Sequence, residues 1–274
     1  MKLREPCLTA GWYPREKSKI EEFLKPFVEP DSTAGIAAIA PHAGWYYSGY
    51  LAALAVSSLD RKAETVVVIG GHLPEKMPIL IAQEDGVKTP FGNMTIDSEL
   101  RKEFEKEISW RSDGYQDNTV EVLLPMVHYF FPSARLLWLR FPAEISSYDA
   151  GKALSLTAKA LGRRAVVIAS VDLTHYGDNY GFSPKGRGKA GLEWVKNVND
   201  AGLIEAVLAK DPGKVLKRAK EDSSTCSPGA ILGAMGFASE KGSEARLLKY
   251  VTSADITADA SPSSFVGYAA ISLG

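Results

Sequence analysis

Along most of this chain, short runs of Val, Ile and Ala alternate with longer segments whose apolar residues recur every three or four positions. The runs at 35–40 (GIAAIA), 64–70 (ETVVVIG) and 165–170 (AVVIAS) have almost no polar face, which predicts strands buried on both sides. Further strands are predicted at 78–83, 134–139, 245–252 and 265–272. Helical spacing covers 17–29, where Ile20, Phe23, Leu24 and Phe27 share one side and Pro26 can end the helix early. It returns at 48–58, 97–107, 147–161, 192–209, 212–221 and 228–239. The segment 118–131 also reads as helix, with a kink expected at Pro125.

Continuous apolar strands separated by helices predict the α/β class, a mostly parallel sheet covered by helices on both faces. No fixed-period repeat, low-complexity tract or long Pro/Ser linker divides the sequence, so a single domain over 1–274 is expected.

Composition changes this picture little. Hydrophobic residues make up 45% of the chain, enough for a sizeable core, and Lys+Arg of 32 against Asp+Glu of 33 gives a net charge of -1. That balance argues against a general nucleic-acid surface and against attraction to anionic membranes, so neither is expected as a partner. No apolar stretch approaches the roughly 18 residues of a membrane span. The N-terminal MKLREPCLTAGWYPREK lacks the apolar core of a signal peptide. Two cysteines, Cys7 and Cys226, are too few for a disulfide framework. A cytoplasmic protein with reduced thiols is the expectation.

Candidate chemistry gathers where strands end. Strand 35–40 runs into Pro41-His42, strand 64–70 into Gly71-His72, and strand 165–170 into Val171-Asp172-Leu173-Thr174-His175. Three of the four histidines thus follow the carboxyl ends of predicted strands, the edge at which open α/β sheets bind ligands. Strands 35–40 and 64–70 are joined by one helix and are expected side by side, about 4.8 Å apart, so that two imidazoles can meet on one ion. Each histidine also has a plainer reading as a hydrogen-bonded loop residue, although imidazole is the commonest neutral metal ligand. His128 lies mid-helix in LLPMVHYFF and reads as structural.

Cys226 precedes an apolar helix, with Ser227 placed as N-cap and Pro228 at the first helical position. A thiol beside a helix N-terminus has a lowered pKa, which favours a metal-binding or nucleophilic thiolate. The alternative is a small buried residue that fills a gap. Asp172 reads as a ligand, as an acceptor that orients an imidazole, or as a turn former. Glu121, at the spacing of a capping box, reads first as a cap. Trp45, Tyr46 and Tyr47 either wall an aromatic pocket or pack the following helix, and SPKGRGK at 183–189 either closes over an anion or is a solvated loop.

The stretch PHAGWYYSG at 41–49 resembles the signature of the Memo family, the B component of the AmmeMemoRadiSam system, which reads Pro-His-Ala-Gly-aromatic, then Tyr, a small residue and Gly. VVVIGGHLP resembles its second block. TPFGNMTID (89–97), DNTVEVLLP (117–125), SVDLTHYG (170–177), TCSPGAILGAM (225–235) and SFVGYAAISL follow in the family's order, and the resemblance spans about residues 8 to 273. It implies the fold of the class III extradiol dioxygenases, which hold non-haem Fe(II) with two histidines and a carboxylate. In the Memo family a cysteine stands where that carboxylate was. Carried over position by position, the resemblance implies His42, His72 and Cys226 as metal ligands, His175 as an acid/base histidine, and Asp172 beside it. The sequence departs from the family at Asn118-Thr119, where His-Ser is usual, and at Leu123, where Gln or His is usual. Those changes are expected to remove polar groups from the site. Residues around and after His72 differ too.

Two imidazoles and a thiolate leave coordination positions open, and thiolate softness shifts preference toward copper or zinc while leaving iron available. The sulfur is also oxidisable, which suits metal handling or redox sensing. The expected function is a transition-metal-binding protein, iron or copper first and zinc as a further candidate. Its chemistry would be oxygen- or redox-dependent, with His175 shuttling a proton. Two rival accounts stand beside it. One is a non-catalytic module that binds a small aromatic or peptide ligand, or buffers metal, alongside the radical-SAM or AMMECR-type partner protein that the resemblance implies. The other is a zinc-dependent hydrolase using the same three ligands.

Overall fold

Successive residues of the buried strands point to opposite faces and supply two separate cores. Val66, Val68, Val166 and Ile168 face one side, with helix Trp45–Ser57. Val67, Ile69, Val167 and Ala169 face the other, with helices Ser146–Ala160 and Pro228–Ser239. Each fully buried Val or Ile side chain among them contributes about 1.5–3 kcal/mol on leaving water. The strands are therefore anchored on both faces, and the loops at their ends carry the chemistry.

The computed structural model describes residues 1–28, 34–239 and 244–274. Its strands are β1 (Leu3–Arg4), β2 (Ala37–Ala40), β3 (Thr65–Leu73), β4 (Ile79–Ile81), β5 (Gly86–Thr89) and β6 (Gly92–Thr95). They continue as β7 (Trp110–Ser112), β8 (Arg135–Pro142), β9 (Ala165–Ser170), β10 (His175–Gly177), β11 (Ala245–Thr252) and β12 (Ser264–Leu273). Among the described residues the main sheet has nine strands in the order β10-β12-β2-β9-β3-β8-β4-β7, with β11 also paired to β12. At its centre β2, β9, β3 and β8 run parallel, as continuous apolar runs predict. Toward the edges β4 is antiparallel to β8, and β12 is antiparallel to β2, β10 and β11, so the curled sheet as a whole is mixed.

One expected neighbourhood is corrected. β2 and β3 are not side by side; β9 lies between them, with Ile168 opposite both Ala38 and Val68. β9 is buried at every residue, and an edge position would leave its apolar flank and one row of backbone groups uncovered. The ends of β2 and β3 are consequently two strand spacings apart, about 9.6 Å. Loop geometry has to close that gap.

Other elements differ locally. The helix expected at 17–29 is an α-helix over Lys17–Leu24 followed by a 3-10 turn at Lys25–Phe27 around Pro26, and Glu29 lies outside the described residues. The segment 118–131 is broken rather than kinked, into Asn118–Glu121 and Leu124–Phe130, with Pro125 in the first turn of the second piece, where its missing N–H leaves no bond unmade. The helix expected at 192–209 contains a π turn at Val195–Asn199, which rotates Asn199 and Asp200 inward, where both are buried. A small sheet, β1-β5-β6, had no strong signal because its strands span two to four residues. Helices 146–160 and 228–239 cross so closely that a Cβ on Gly151 would stand 2.1 Å from the carbonyl oxygen of Gly233. Among the described residues no helix is long and apolar enough to cross a membrane.

Candidate metal centre

His42 leaves the end of β2 and is 1% exposed. Its backbone N–H donates to Asp172 Oδ1 at 2.8 Å, and Asn118 Nδ2 donates to its carbonyl at 3.2 Å. Its Nδ1 lies 3.0 Å from Ser170 Oγ, and the Ser170 hydroxyl donates to the Thr119 carbonyl. With the hydroxyl proton committed to Thr119, the Ser170 oxygen accepts from His42 Nδ1–H, so in the neutral ring Nε2 is the nitrogen that carries the lone pair. That Nε2 stands 3.4 Å from Cys226 Sγ.

His72 reaches the same point by a distorted strand end. The pairing of β3 with β8 is irregular between Gly70 and Leu73, and His72 has φ +59, the left-handed region that His tolerates better than most residues. A Cβ on Gly71 would meet Ser227 Oγ at 2.1 Å and Ser227 Cα at 2.8 Å. Glycine at that position lets the segment carrying Cys226 press directly against β3. The His42 and His72 rings end 5.0 Å apart at 88°. His72 Nδ1 lies 3.1 Å from Asp117 Oδ2, and Asp117 is held in turn by Arg140 Nη2 at 3.3 Å and by the Thr119 N–H at 2.9 Å.

Cys226 completes the group. One ligand atom from each of His42, His72 and Cys226 lies within 4.8 Å of the others. A tetrahedral ion with bonds of about 2.0–2.1 Å to nitrogen and 2.3 Å to sulfur needs N···S separations of about 3.6 Å. The 3.4 Å between His42 Nε2 and Sγ matches that need, and a donor set of two imidazoles and a soft thiolate suits a first-row transition ion. The donor chemistry of all three residues fits such an ion, and the His42–Cys226 spacing matches a bonded pair.

Asp172 and His175 adjoin the triad. Asp172 Oδ2 is 3.8 Å from His42 Nε2 and 3.9 Å from His175 Nε2, electrostatic contacts rather than hydrogen bonds. His175 Nε2 is buried without a hydrogen-bond partner, and its ring stands 4.9 Å from that of Tyr180. Burial opposes charge on every one of these groups, yet their mutual attraction outweighs it. The Cys226 thiol is pushed up by burial but pulled well below its usual value by His42, His175 and His72. Burial lowers His72, but the Asp117 hydrogen bond and the Cys226 sulfur raise it to about 10. His175 is raised to about 9 by Asp172 and Cys226 against the same burial. Burial pushes Asp172 up, but the charge of His42 and the attraction of His175 hold it below the usual carboxylate range.

The group opens into a cavity of about 470 Å³ walled by Trp12, Tyr47, Tyr180 and Tyr268. Of the three aromatics at 45–47, Tyr47 lines this cavity and Tyr46 is exposed. Trp45 packs inside, 5.1 Å from the Phe23 ring, with Nε1–H donating to the Val122 carbonyl. Asn118 also lines the cavity, so the departure at that position keeps a polar group in the site, whereas Leu123 is buried in the core. His128 takes no part; its Nδ1 lies 2.6 Å from Thr89 Oγ1.

Glu121 is not a cap. Asp117 caps that helix, and the buried Glu121 carboxylate instead accepts from Cys7 N–H at 2.7 Å, Leu8 N–H at 3.1 Å and Tyr13 O–H at 2.9 Å. The loop at 183–189 is tied down, its Lys185 N–H donating to the Tyr176 oxygen and its Gly188 N–H to the Pro262 carbonyl. Asp117 and Ser170, which hold the two imidazoles, are the residues that sequence reasoning missed. Their one sequence signal is adjacency to the motifs, immediately before Asn118 and at the end of strand 165–170.

Similarity to known proteins agrees with this geometry. The family model described as "Memo-like protein" matches residues 4–272. This chain belongs to the Memo family. A MEMO1 family protein of Pyrococcus abyssi is 32% identical over 290 residues, covering 98% of each chain. One of Methanosarcina mazei is 32% identical over 283 residues, covering 99% of each. Among solved structures, the crystal structure of the uncharacterized protein JW3007 from Escherichia coli K12 superposes with a TM-score of 0.50 at 12% identity. It covers 87% of the Memo chain and 99% of its own, a likeness of fold alone. A mixed sheet flanked by helices is consistent with the extradiol-dioxygenase-like architecture expected of a Memo protein.

Proposed function

We propose that this Memo-family chain binds one transition-metal ion, iron or copper, through His42, His72 and Cys226, and that its cavity hosts oxygen- or redox-dependent chemistry. The observation that carries the reading is the approach of three ligand atoms to within 4.8 Å from three distant stretches of chain. When bound, such an ion supplies Lewis acidity and, for iron or copper, one-electron redox chemistry.

The chain's own residues would do the rest. His175 Nε2 is buried and unpartnered, and the carboxylate of Asp172 favours its protonated form. It can hold a proton at Nε2 and exchange it with a ligand in the cavity. Asp172 also fixes the loop of His42 by accepting its backbone N–H. Tyr47, Tyr180, Trp12 and Tyr268 give the cavity walls that suit an aromatic or peptide ligand.

Anaerobic titration with Fe(II), Cu(I) and Zn(II) against a chromophoric chelator tests the reading. One equivalent of iron or copper should bind tightly, and binding should weaken sharply in Cys226→Ser. Equal binding by that variant contradicts it. Oxygen uptake by the loaded protein with candidate ligands then separates the accounts: uptake supports redox catalysis, turnover with zinc alone points to hydrolysis, and tight metal without turnover points to a binding module.

A further inference from the structure

His42 faces Cys226 Sγ through Nε2 at 3.4 Å, and each of the two candidate ligand histidines has its Nδ1 engaged by a different kind of partner. His72 Nδ1 meets a carboxylate, Asp117 Oδ2, at 3.1 Å. His42 Nδ1 meets a hydroxyl, Ser170 Oγ, at 3.0 Å. Both partners lead back to one short segment. Asp117 begins it, Asn118 Nδ2 donates to the His42 carbonyl, and the Thr119 carbonyl accepts the Ser170 hydroxyl proton.

The Asp117 arm closes on itself. Arg140, 4% exposed, donates from Nη2 to Asp117 Oδ2 at 3.3 Å and from Nε to the carbonyl of Gly71 at 3.0 Å. Gly71 is the residue before His72, so one guanidinium ties the orienting carboxylate to the backbone of the histidine that it orients. Thr119 N–H holds the other carboxylate oxygen at 2.9 Å. The Ser170 arm is a neutral relay whose direction is fixed by a main-chain acceptor, because the Thr119 carbonyl can only accept. A carboxylate raises the basicity of the imidazole it orients, while a hydroxyl fixes only its tautomer.

We infer that Asp117 and Ser170 are positioning residues that lock His72 and His42 as Nδ1–H tautomers, so that segment 117–119 presents both Nε2 atoms to Cys226. The inference rests on the metal reading for its consequence, and on the hydrogen bonds alone for its geometry. The pair is unequal: His72, backed by the carboxylate, is the more basic ligand, and its loss of support costs more.

¹⁵N-histidine-labelled protein, metal-free and zinc-loaded, tests this by long-range ¹H–¹⁵N spectra of wild type, Asp117→Ala, Asp117→Asn and Ser170→Ala. Wild type should show slowly exchanging Nδ1–H protons on His42 and His72. Asp117→Ala should erase the His72 proton and spare that of His42, and Ser170→Ala should do the reverse. Zinc affinity should fall about 10–100-fold in Asp117→Ala and less in Ser170→Ala. Asp117→Asn, whose amide oxygen still accepts, should restore the His72 signal and most of the affinity, which a merely structural role of Asp117 would not require. If Asp117→Ala fails to fold, Asp117→Leu, which likewise offers no acceptor to His72, takes its place. An unchanged His42 Nδ1–H signal in Ser170→Ala, or an unchanged His72 Nδ1–H signal in Asp117→Ala, overturns the inference. If wild type binds none of zinc, Fe(II) and Cu(I) while the residue-specific losses appear, the metal reading falls and the positioning roles stand.

Discussion

His42 Nε2 stands 3.4 Å from the sulfur of Cys226, although 184 residues of chain separate the two. Nothing local produces this contact. It requires β2 and the start of helix Pro228–Ser239 to meet at one sheet edge, with Asp172 at the end of β9 accepting the His42 N–H and, through its carbonyl, the Cys226 N–H at 3.3 Å. The site is a product of the parallel centre of the sheet, and its parts should fail separately.

His175 adjoins the triad without belonging to it. His175→Ala should leave metal affinity within about threefold of wild type while lowering turnover about 10²–10⁴-fold, the usual contribution of a positioned acid/base group. Metal titration and oxygen uptake on the same preparation check both halves.

Gly71 is fixed by crowding. A Cβ there would meet both the side chain and the backbone of Ser227, so repacking one hydroxyl cannot relieve it. Gly71→Ala should cost about 1–3 kcal/mol in urea unfolding and displace Cys226, weakening metal binding as well.

Asp200 should make stability depend on pH. Burial raises its carboxyl from 3.8 to about 7, against hydrogen bonds from Thr174 and Tyr250 that lower it. The unfolded chain loses this proton as pH passes about 4, whereas the folded chain keeps it until about 7. Its stabilising contribution is therefore complete below about pH 4 and is lost progressively up to pH 7, by at most about 4 kcal/mol. Asp200→Asn cannot ionise, so its stability relative to wild type should rise across that window. Urea unfolding of both proteins at several pH values would show parallel curves if Asp200 keeps an ordinary pKa.

Glu121 holds the N-terminal segment. Glu121→Ala strips the acceptor from the N–H groups of Cys7 and Leu8 and from the Tyr13 hydroxyl, at about 1–3 kcal/mol per buried group left unpaired. Limited proteolysis should then cut within residues 5–15 faster than in wild type, and Glu121→Gln should be milder.

How much of this the sequence discloses depends on range. β2, β3 and β9 are readable because residues buried on both faces leave almost no polar positions. His42, His72, Asp172, His175 and Cys226 stand out by following strands or preceding a helix. The order β2-β9-β3 is not readable, because pairing is a long-range choice made by burial. Asp117 escapes for the same reason: its partners His72 and Arg140 are 45 and 23 residues away. Asn199 and Asp200 turn inward because of one extra residue in a helical turn, which periodicity alone does not reveal.

The most direct measurement is metal content after anaerobic purification from the native host, by elemental analysis of wild type, His42→Ala, His72→Ala and Cys226→Ser. Wild type should carry close to one equivalent of iron or copper, and each variant should carry a small fraction of that. The same metal at the same stoichiometry in all four preparations would contradict a centre built from these three residues.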